Sequence, residues 1–377
     1  MWEYTAMNEH SRIQARVILG DIFQEGGRLA LARKWAAVFS LVFLAGCSGI
    51  CIVDAERSSV YVRRDDGRFR EVPLYVGENG YATLKRSETH SFILRTISFD
   101  GKELSRESMP LFLTGYGGDE YAFSDNGEKV AYVESIGFSP LHRLRVALAH
   151  APNDNLLPDG VCDNLRAFLG YSVFWLSPSN ILLYANNSGP FHEPEKRADI
   201  CIVDINGMRV SLLPGYDSCG CGPILLSPSR RYLLASEEII DTRLYRLHIV
   251  DLDVGKEVFV ITPRGNEMEA HGAVWCSEDE VVFAVDGVVY TQKVGSPDKR
   301  EVFRVHPPCG IWLYAVDSAR GLHYQLFDKR SCPAKKIGGW RVHNIETHVD
   351  RKVTGEQITG RVLLNRKRDK IVAAVGR

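Results

Sequence analysis

No charge of one sign dominates this sequence. Its 46 Lys and Arg stand against 47 Asp and Glu, a net charge of -1 at a pI near 6.8. It therefore has neither the basic field that attracts nucleic acid nor a polybasic face for anionic lipid headgroups. Catalytic signatures are equally scarce. Gly137-Phe-Ser139-Pro-Leu141 and Gly170-Tyr-Ser172-Val-Phe174 lack the closing glycine of a nucleophile elbow, and no His-Glu-x-x-His is present. No Gly-rich run opens a helix, which leaves out phosphate loops and dinucleotide fingerprints. His192-Glu193-Pro-Glu195 and Glu267-Met-Glu269-Ala-His271 group possible ligands in predicted loops, where such groupings read as solvated turns rather than metal sites. No catalytic residue, metal site or cofactor is assigned.

What is present begins with one apolar run. From Trp35 to Val53 no residue is charged, and Arg28, Arg33 and Lys34 lie just before it. That is the polarity of an exported N-terminus. The strongly apolar part, Trp35 to Gly46, has the length of a signal-peptide h-region and is short for a bilayer span. It ends in Leu44-Ala45-Gly46-Cys47, which resembles the lipobox of bacterial lipoproteins. The resemblance implies that residues 1–46 are a signal region, that Cys47 is lipidated and becomes the first residue of the mature chain, and that residues 47–57 are a short tether. Several acyl chains exceed what stable membrane anchoring requires. Ser48 stands where an Asp would signal inner-membrane retention, which favours the outer membrane if the host has one. An uncleaved signal anchor is the alternative, since the whole uncharged run could just span. Residues 1–28 contain Glu3, Glu9, Asp21 and Glu25, unlike a short basic n-region. They point to a translation start downstream, near Val17, Leu29 or Leu31.

The rest of the chain repeats itself. "YAFSDNGEKVAYVES" from Tyr121, "VFWLSPSNILLYANN" from Val173, "ILLSPSRRYLLASEE" from Ile224 and "AVWCSEDEVVFAVDG" from Ala273 each join two apolar segments through a Ser and a polar turn. The serines fall at 124, 177, 227 and 277, a spacing near fifty. Weaker copies surround Gly77, Asp317 and Asn365. Between them lies a second pattern of hairpins: "VYVRRDDGRF" from Val60, "TISFDGKEL" from Thr96, "CIVDINGMRV" from Cys201 and "HIVDLDVGKEV" from His248. Two hairpins per period give four strands, one propeller blade.

The combined pattern, with its "IVDLD-x-G" turn, resembles the TolB-type β-propeller repeat, a relative of WD repeats. The 227 copy departs from it with Arg230-Arg231 where Gly-Lys is usual, and the 317 copy lacks Pro and a clear turn glycine. The expected fold is all-β, a propeller of about seven four-stranded blades, six being the other count, spanning residues 58–377. The last unit holds only its first two strands, so the hairpin beginning at Val60 is expected to complete it and close the ring, which removes exposed sheet edges.

Nine cysteines occur, at 47, 51, 162, 201, 219, 221, 276, 309 and 332. With Cys47 lipidated an even number remains in an exported protein, where disulfides persist. Cys201 and Cys276 lie in strand patterns and are expected to be buried free thiols. Trp312-Leu-Tyr314 and Phe174-Trp175 are read as core rather than partner surface.

The resulting expectation is a monomeric, lipid-anchored propeller on the periplasmic side of a bacterial cell envelope, binding an envelope protein as a scaffold. A hydrolase or lyase, or a glycan or small-molecule binder using the channel mouth, are the alternatives. A proteome digest, which also samples the uncleaved precursor, is expected to lack any peptide from residues 1–16; recovery of one containing "MNEHSR" contradicts the downstream start.

Overall fold

The structure, a computed structural model, describes residues 49–57, 59–64, 71–86, 92–109, 121–135, 141–149, 151–157, 165–166, 170–186, 198–207, 209–216, 224–239, 244–261, 268–306, 309–328 and 335–376. The described residues form only strands and turns, and the strands make seven antiparallel sheets, six of four strands and one of five. Each sheet is one blade of a β-propeller.

Chain order begins with β1 (Gly49–Asp54) and β2 (Ser59–Arg64). Blade 1 follows as β3 (Glu71–Val76), β4 (Gly80–Arg86), β5 (Phe92–Ser98) and β6 (Glu103–Met109). Blade 2 comprises β7 (Tyr121–Phe123), β8 (Lys129–Ser135), β9 (Leu141–Leu148) and β10 (Ala151–Asn155), with β11 (Leu165–Arg166) also pairing with β9. Blade 3 runs from β12 (Gly170–Trp175) through β13 (Asn180–Asn186) and β14 (Ala198–Asp204) to β15 (Arg209–Tyr216). Blade 4 is β16 (Ile224–Leu226), β17 (Tyr232–Ile239), β18 (Leu244–Asp251) and β19 (Lys256–Ile261). In blade 5 the strands are β20 (Met268–Trp275), β21 (Glu280–Val285), β22 (Val288–Lys293) and β23 (Lys299–Arg304). Blade 6 holds β24 (Cys309–Val316), β25 (Gly321–Asp328), β26 (Lys335–Asn344) and β27 (Asp350–Lys352).

Blade 7 closes the ring. Its order is β28 (Gln357–Leu364), β29 (Lys370–Gly376), β1, β2, so the first described strand pairs with the last. Ring closure by the two ends agrees with the sequence reading, but the closing hairpin differs. The segment from Val60 to Val72 is not a hairpin: β2 pairs with β1, whereas β3 opens blade 1 and pairs with β4. The Asp65-Asp66-Gly67 turn signal falls in the connection between two blades, outside the described residues. Gly49–Asp54, expected to be part of a tether, is instead an interior strand of the propeller, so the sheets begin nine residues before position 58.

Alternation explains why each strand binds two neighbours. A strand's side chains point to opposite faces, and in a blade each face packs on an adjacent blade. Ile181 and Leu183 join Leu144 and Val146 of blade 2, while Leu182 and Tyr184 join Leu233 and Val250 of blade 4. Seven apolar clusters of this kind occur among the described residues, one for each junction between blades. β1 follows the same rule. Ile50 and Ile52 pack with Tyr81 and Ile97 of blade 1, and Cys51 and Val53 pack with Trp340 of blade 6.

Four of the nine cysteines lie among the described residues. Cys51, Cys276 and Cys309 are free thiols, so the even-numbered disulfide set does not hold for them. Cys201 and Cys276 are buried in the core, as their strand pattern implies. Burial pushes the thiols of Cys51 and Cys276 up to about 12, which leaves both protonated and unreactive at neutral pH. Cys162, Cys219, Cys221 and Cys332 lie outside the described residues.

Truncation of the closing strand tests its weight. Ile50, 1% exposed, fills the junction between blades 7 and 1; Ile50→Ala is expected to lose about 2–5 kcal/mol in urea unfolding. Val60→Ala, on the exposed outer strand of the same blade, is expected to stay within about 0.5 kcal/mol.

Candidate binding face at the channel mouth

In every blade a short turn joins the innermost strand to the second strand, and these seven turns converge at one end of the central channel. In blades 2, 3, 4, 6 and 7 a Ser, Asn or Asp opens the turn and accepts from a backbone N–H at or near the start of the second strand. Ser124 Oγ accepts from Lys129 N at 2.9 Å, Ser177 Oγ from Asn180 N at 3.0 Å and Ser227 Oγ from Tyr232 N at 3.0 Å. Asp317 Oδ1 does the same for Gly321 N at 2.7 Å, and Asn365 Oδ1 for Lys370 N at 3.0 Å. These repeated residues are thus turn-formers, each supplying an acceptor that the reversing chain would otherwise lack.

The fourth turn position carries a different signal. In blade 2 it is Gly127 at φ +72°, the residue that adopts a left-handed backbone most readily. In blades 4, 6 and 7 the same position is Arg230, Arg320 and Arg368, with φ of 68°, 63° and 60°. A side chain there costs roughly 1–2 kcal/mol, so something must offset it. Each guanidinium reaches another blade.

Arg230 pairs with Asp125 of blade 2 and donates to Leu176 O of blade 3 at 3.5 Å. Arg320 pairs with Glu280 of blade 5 at 2.9 Å and with Glu346 of its own blade at 3.3 Å. Arg368 crosses blade 6 to donate to Trp275 O at 2.7 Å and Cys276 O at 3.2 Å in blade 5. Burial pulls the Arg368 guanidinium below its ordinary range, yet two carbonyl acceptors keep the cation hydrogen-bonded. Arg231, next in sequence to Arg230, instead binds Asp251 within its own blade at 2.7 Å. Further links complete the ring: Arg366 with Asp125 at 3.4 Å, Lys367 with Glu78 at 3.5 Å, and Ser229 N with Glu278 at 2.7 Å.

Aromatic residues two places before the turn add a second tier. Trp175 Nε1 donates to Ala122 O of blade 2 at 2.9 Å, and Trp275 Nε1 to Leu225 O of blade 4 at 3.1 Å. Tyr75 reaches forward to donate its hydroxyl to Asp125 O. Burial, with Asp125 and Glu78 nearby, pushes the Tyr75 phenol up to about 12, so it remains a donor. Beside these residues lies a cavity of about 710 Å³, walled by Phe123, Phe174 and Leu226 and rimmed by Glu78, Asp125, Arg230 and Arg366. Its aromatic and aliphatic walls come from the inner strands, and its charges come from the turns.

One dyad has the composition of acid–base machinery. His323 Nε2 lies 2.9 Å from Asp317 Oδ2, and the Trp340 indole donates to His323 Nδ1 at 3.1 Å. An indole N–H can only donate, so Nδ1 accepts and Nε2 carries the proton given to the carboxylate. His323 is 0% exposed and Asp317 4%; the dyad is closed to solvent and joins the first turn of blade 6 to its second and third strands. Among the described residues no three His, Cys, Asp or Glu side chains are grouped to hold a metal ion.

The residues singled out in the sequence fall in separate places. Leu44, Ala45, Gly46 and Cys47 lie outside the described residues, as do Ser139, the His192–Glu195 grouping, Glu267 and the side chains of Glu269 and His271. Ser172 is buried in β12. Trp175 is buried, as read; Trp312, stacked on Phe327 at 4.8 Å, and Tyr314, whose hydroxyl meets Gln325 at 3.2 Å, are half-buried, and Phe174, also half-buried, walls the cavity. Of the turn arginines, Arg230 was visible in the sequence as a departure from the repeat, Arg320 only as a missing turn glycine, and Arg368 not at all.

Arg368→Gly separates the two opposing effects. Relief of the left-handed backbone returns roughly 1–2 kcal/mol, while two charge-assisted hydrogen bonds to buried carbonyls are each worth about 1.5–3 kcal/mol. The variant is expected to unfold at lower urea, with a net loss of about 2 kcal/mol. Equal or greater stability would assign the arginine no structural role.

No family model matches the chain, and none of the curated proteins matches it. Among solved structures, the crystal structure of the C-terminal WD40 domain of Sif2 aligns over 81% of this chain and 94% of that one, at 12% identity and a TM-score of 0.46.

Proposed function

We propose that this protein is a cell-envelope lipoprotein, anchored through lipid on Cys47, whose propeller binds another envelope protein and holds it at the membrane. The observation that carries the reading is the sequence Leu44-Ala45-Gly46-Cys47 at the end of an uncharged run preceded by Arg33 and Lys34, directly followed by a folded propeller that begins at Gly49. The repeat's likeness to TolB-type propellers supports the same address. Two features of the channel mouth support recognition over chemistry: Asp125 and Glu280 are paired with Arg230 and Arg320, and the Asp–His dyad is sealed from solvent. A rigid charged relief suits docking, in which polar rims fix register and orientation.

Exposed charges at the mouth provide the probe. Arg366 and Lys367 side chains are 71% and 67% exposed, so Arg366→Glu with Lys367→Glu leaves the core untouched. Cross-linking in the native envelope, purification and mass spectrometry should recover one dominant partner with the wild type. The partner is expected to be lost with the double reversal and with Cys47→Ala. Recovery of the lipidated protein alone, at full yield, would overturn the scaffold reading and redirect attention to small ligands of the cavity.

A further inference from the structure

The chain leaves almost no slack between the anchor and the propeller, and this fixes which face the membrane meets. β1 runs antiparallel to β29, with Gly49 opposite Val375 and Asp54 opposite Lys370. The Asp54 end lies at the channel-mouth turns: Ala55 N donates to Asp369 O at 2.8 Å, and Lys370 binds Asp54 at 3.1 Å. Gly49 is therefore at the opposite end of the sheet, about 17 Å away at ~3.3 Å per residue. Only Ser48 separates it from Cys47. Two Cα steps of ~3.8 Å hold the Cys47 α-carbon within about 7 Å of Gly49 in any conformation.

From this we infer that the propeller sits directly on the lipid surface, with the end of the sheets at Gly49 and Val375 against the headgroups and the seven channel-mouth turns facing the aqueous compartment. The inference rests on the lipidation of Cys47 proposed above. A flexible tether would let the disc tumble and offer either face. Here β1 is an interior strand hydrogen-bonded on both sides, so the anchor is coupled to the whole ring. The membrane-facing end includes the turn between β21 and β22, where Asp286 is exposed at φ 51° beside Gly287. The partner approaches from the aqueous side, toward Glu78, Asp125, Arg366 and Lys367.

Hydrogen–deuterium exchange on the purified full-length mature protein in phosphatidylethanolamine–phosphatidylglycerol vesicles tests this, with unlipidated Cys47→Ala protein in solution as the reference. Lipidated protein is expected to show slowed exchange around Val285–Val288 and at the Gly49 and Gly376 ends, with no change in the turns at 124–129, 227–232 and 365–370. Inserting about ten Gly and Ser residues between Ser48 and Gly49, a reach of ~17 Å, is expected to abolish the slowing while the lipid remains. Slowing in the channel-mouth turns, or none anywhere in a chain whose mass shows the lipid, would overturn the orientation alone. An unmodified Cys47 in the native envelope would overturn the lipidation and the orientation together.

Discussion

The pairing of β1 with β29 is the constraint on which the rest of this propeller depends. A ring of blades is stable only if its last sheet is complete, because an open blade exposes both a strand edge and two apolar faces. β28 and β29 supply half of that sheet, and β1 supplies the strand whose alternate side chains enter the junctions with blades 6 and 1 at once. Without it, Trp340 and Tyr81, both fully buried, would each lose a packing surface. One six-residue strand therefore couples the beginning of the folded chain to two blades built from distant sequence.

The channel mouth applies the same logic to polar groups. Five of the seven turns share one acceptor-based design, and three of those five carry arginine in a backbone conformation that favours glycine. The strain is local, and the return is long-range: Arg368 satisfies two carbonyls of blade 5, and Arg230 meets an aspartate 105 residues earlier in sequence. Together with the indoles of Trp175 and Trp275, these links hold the inner strands in fixed relation. Rigidity of that kind limits the cost of ordering a surface when a partner binds.

Much of the architecture was legible because turn chemistry is local. Ser124, Ser177, Ser227 and Ser277 announced the blade period, and the hairpins at Thr96, Cys201 and His248 are present as read. What was not legible was pairing. Gly49–Val53 lies inside the uncharged run that begins at Trp35, and this masked the one signal present, Cys51-Ile-Val-Asp54, which repeats the Cys201-Ile-Val-Asp204 of β14. Residues 60–72 carry a good hairpin signal, but β2 pairs with β1 and β3 with β4. Cross-channel ion pairs leave no periodic trace, since Asp125 and Arg366 are 241 positions apart. Arg230 and Arg320 showed only as deviations from the repeat, and those deviations mark the residues that tie the channel mouth together.

Native-state hydrogen exchange in β1 tests the central claim most directly. If this strand closes the ring, the amides of Gly49–Asp54 that bond to β29 and β2 should exchange only through global unfolding, with the same opening free energy as the interior strands β17 and β18. Exchange of β1 at the rate of a frayed terminus, while β17 and β18 stay protected, would show that the ring holds without it and would remove the basis for coupling the anchor to the fold.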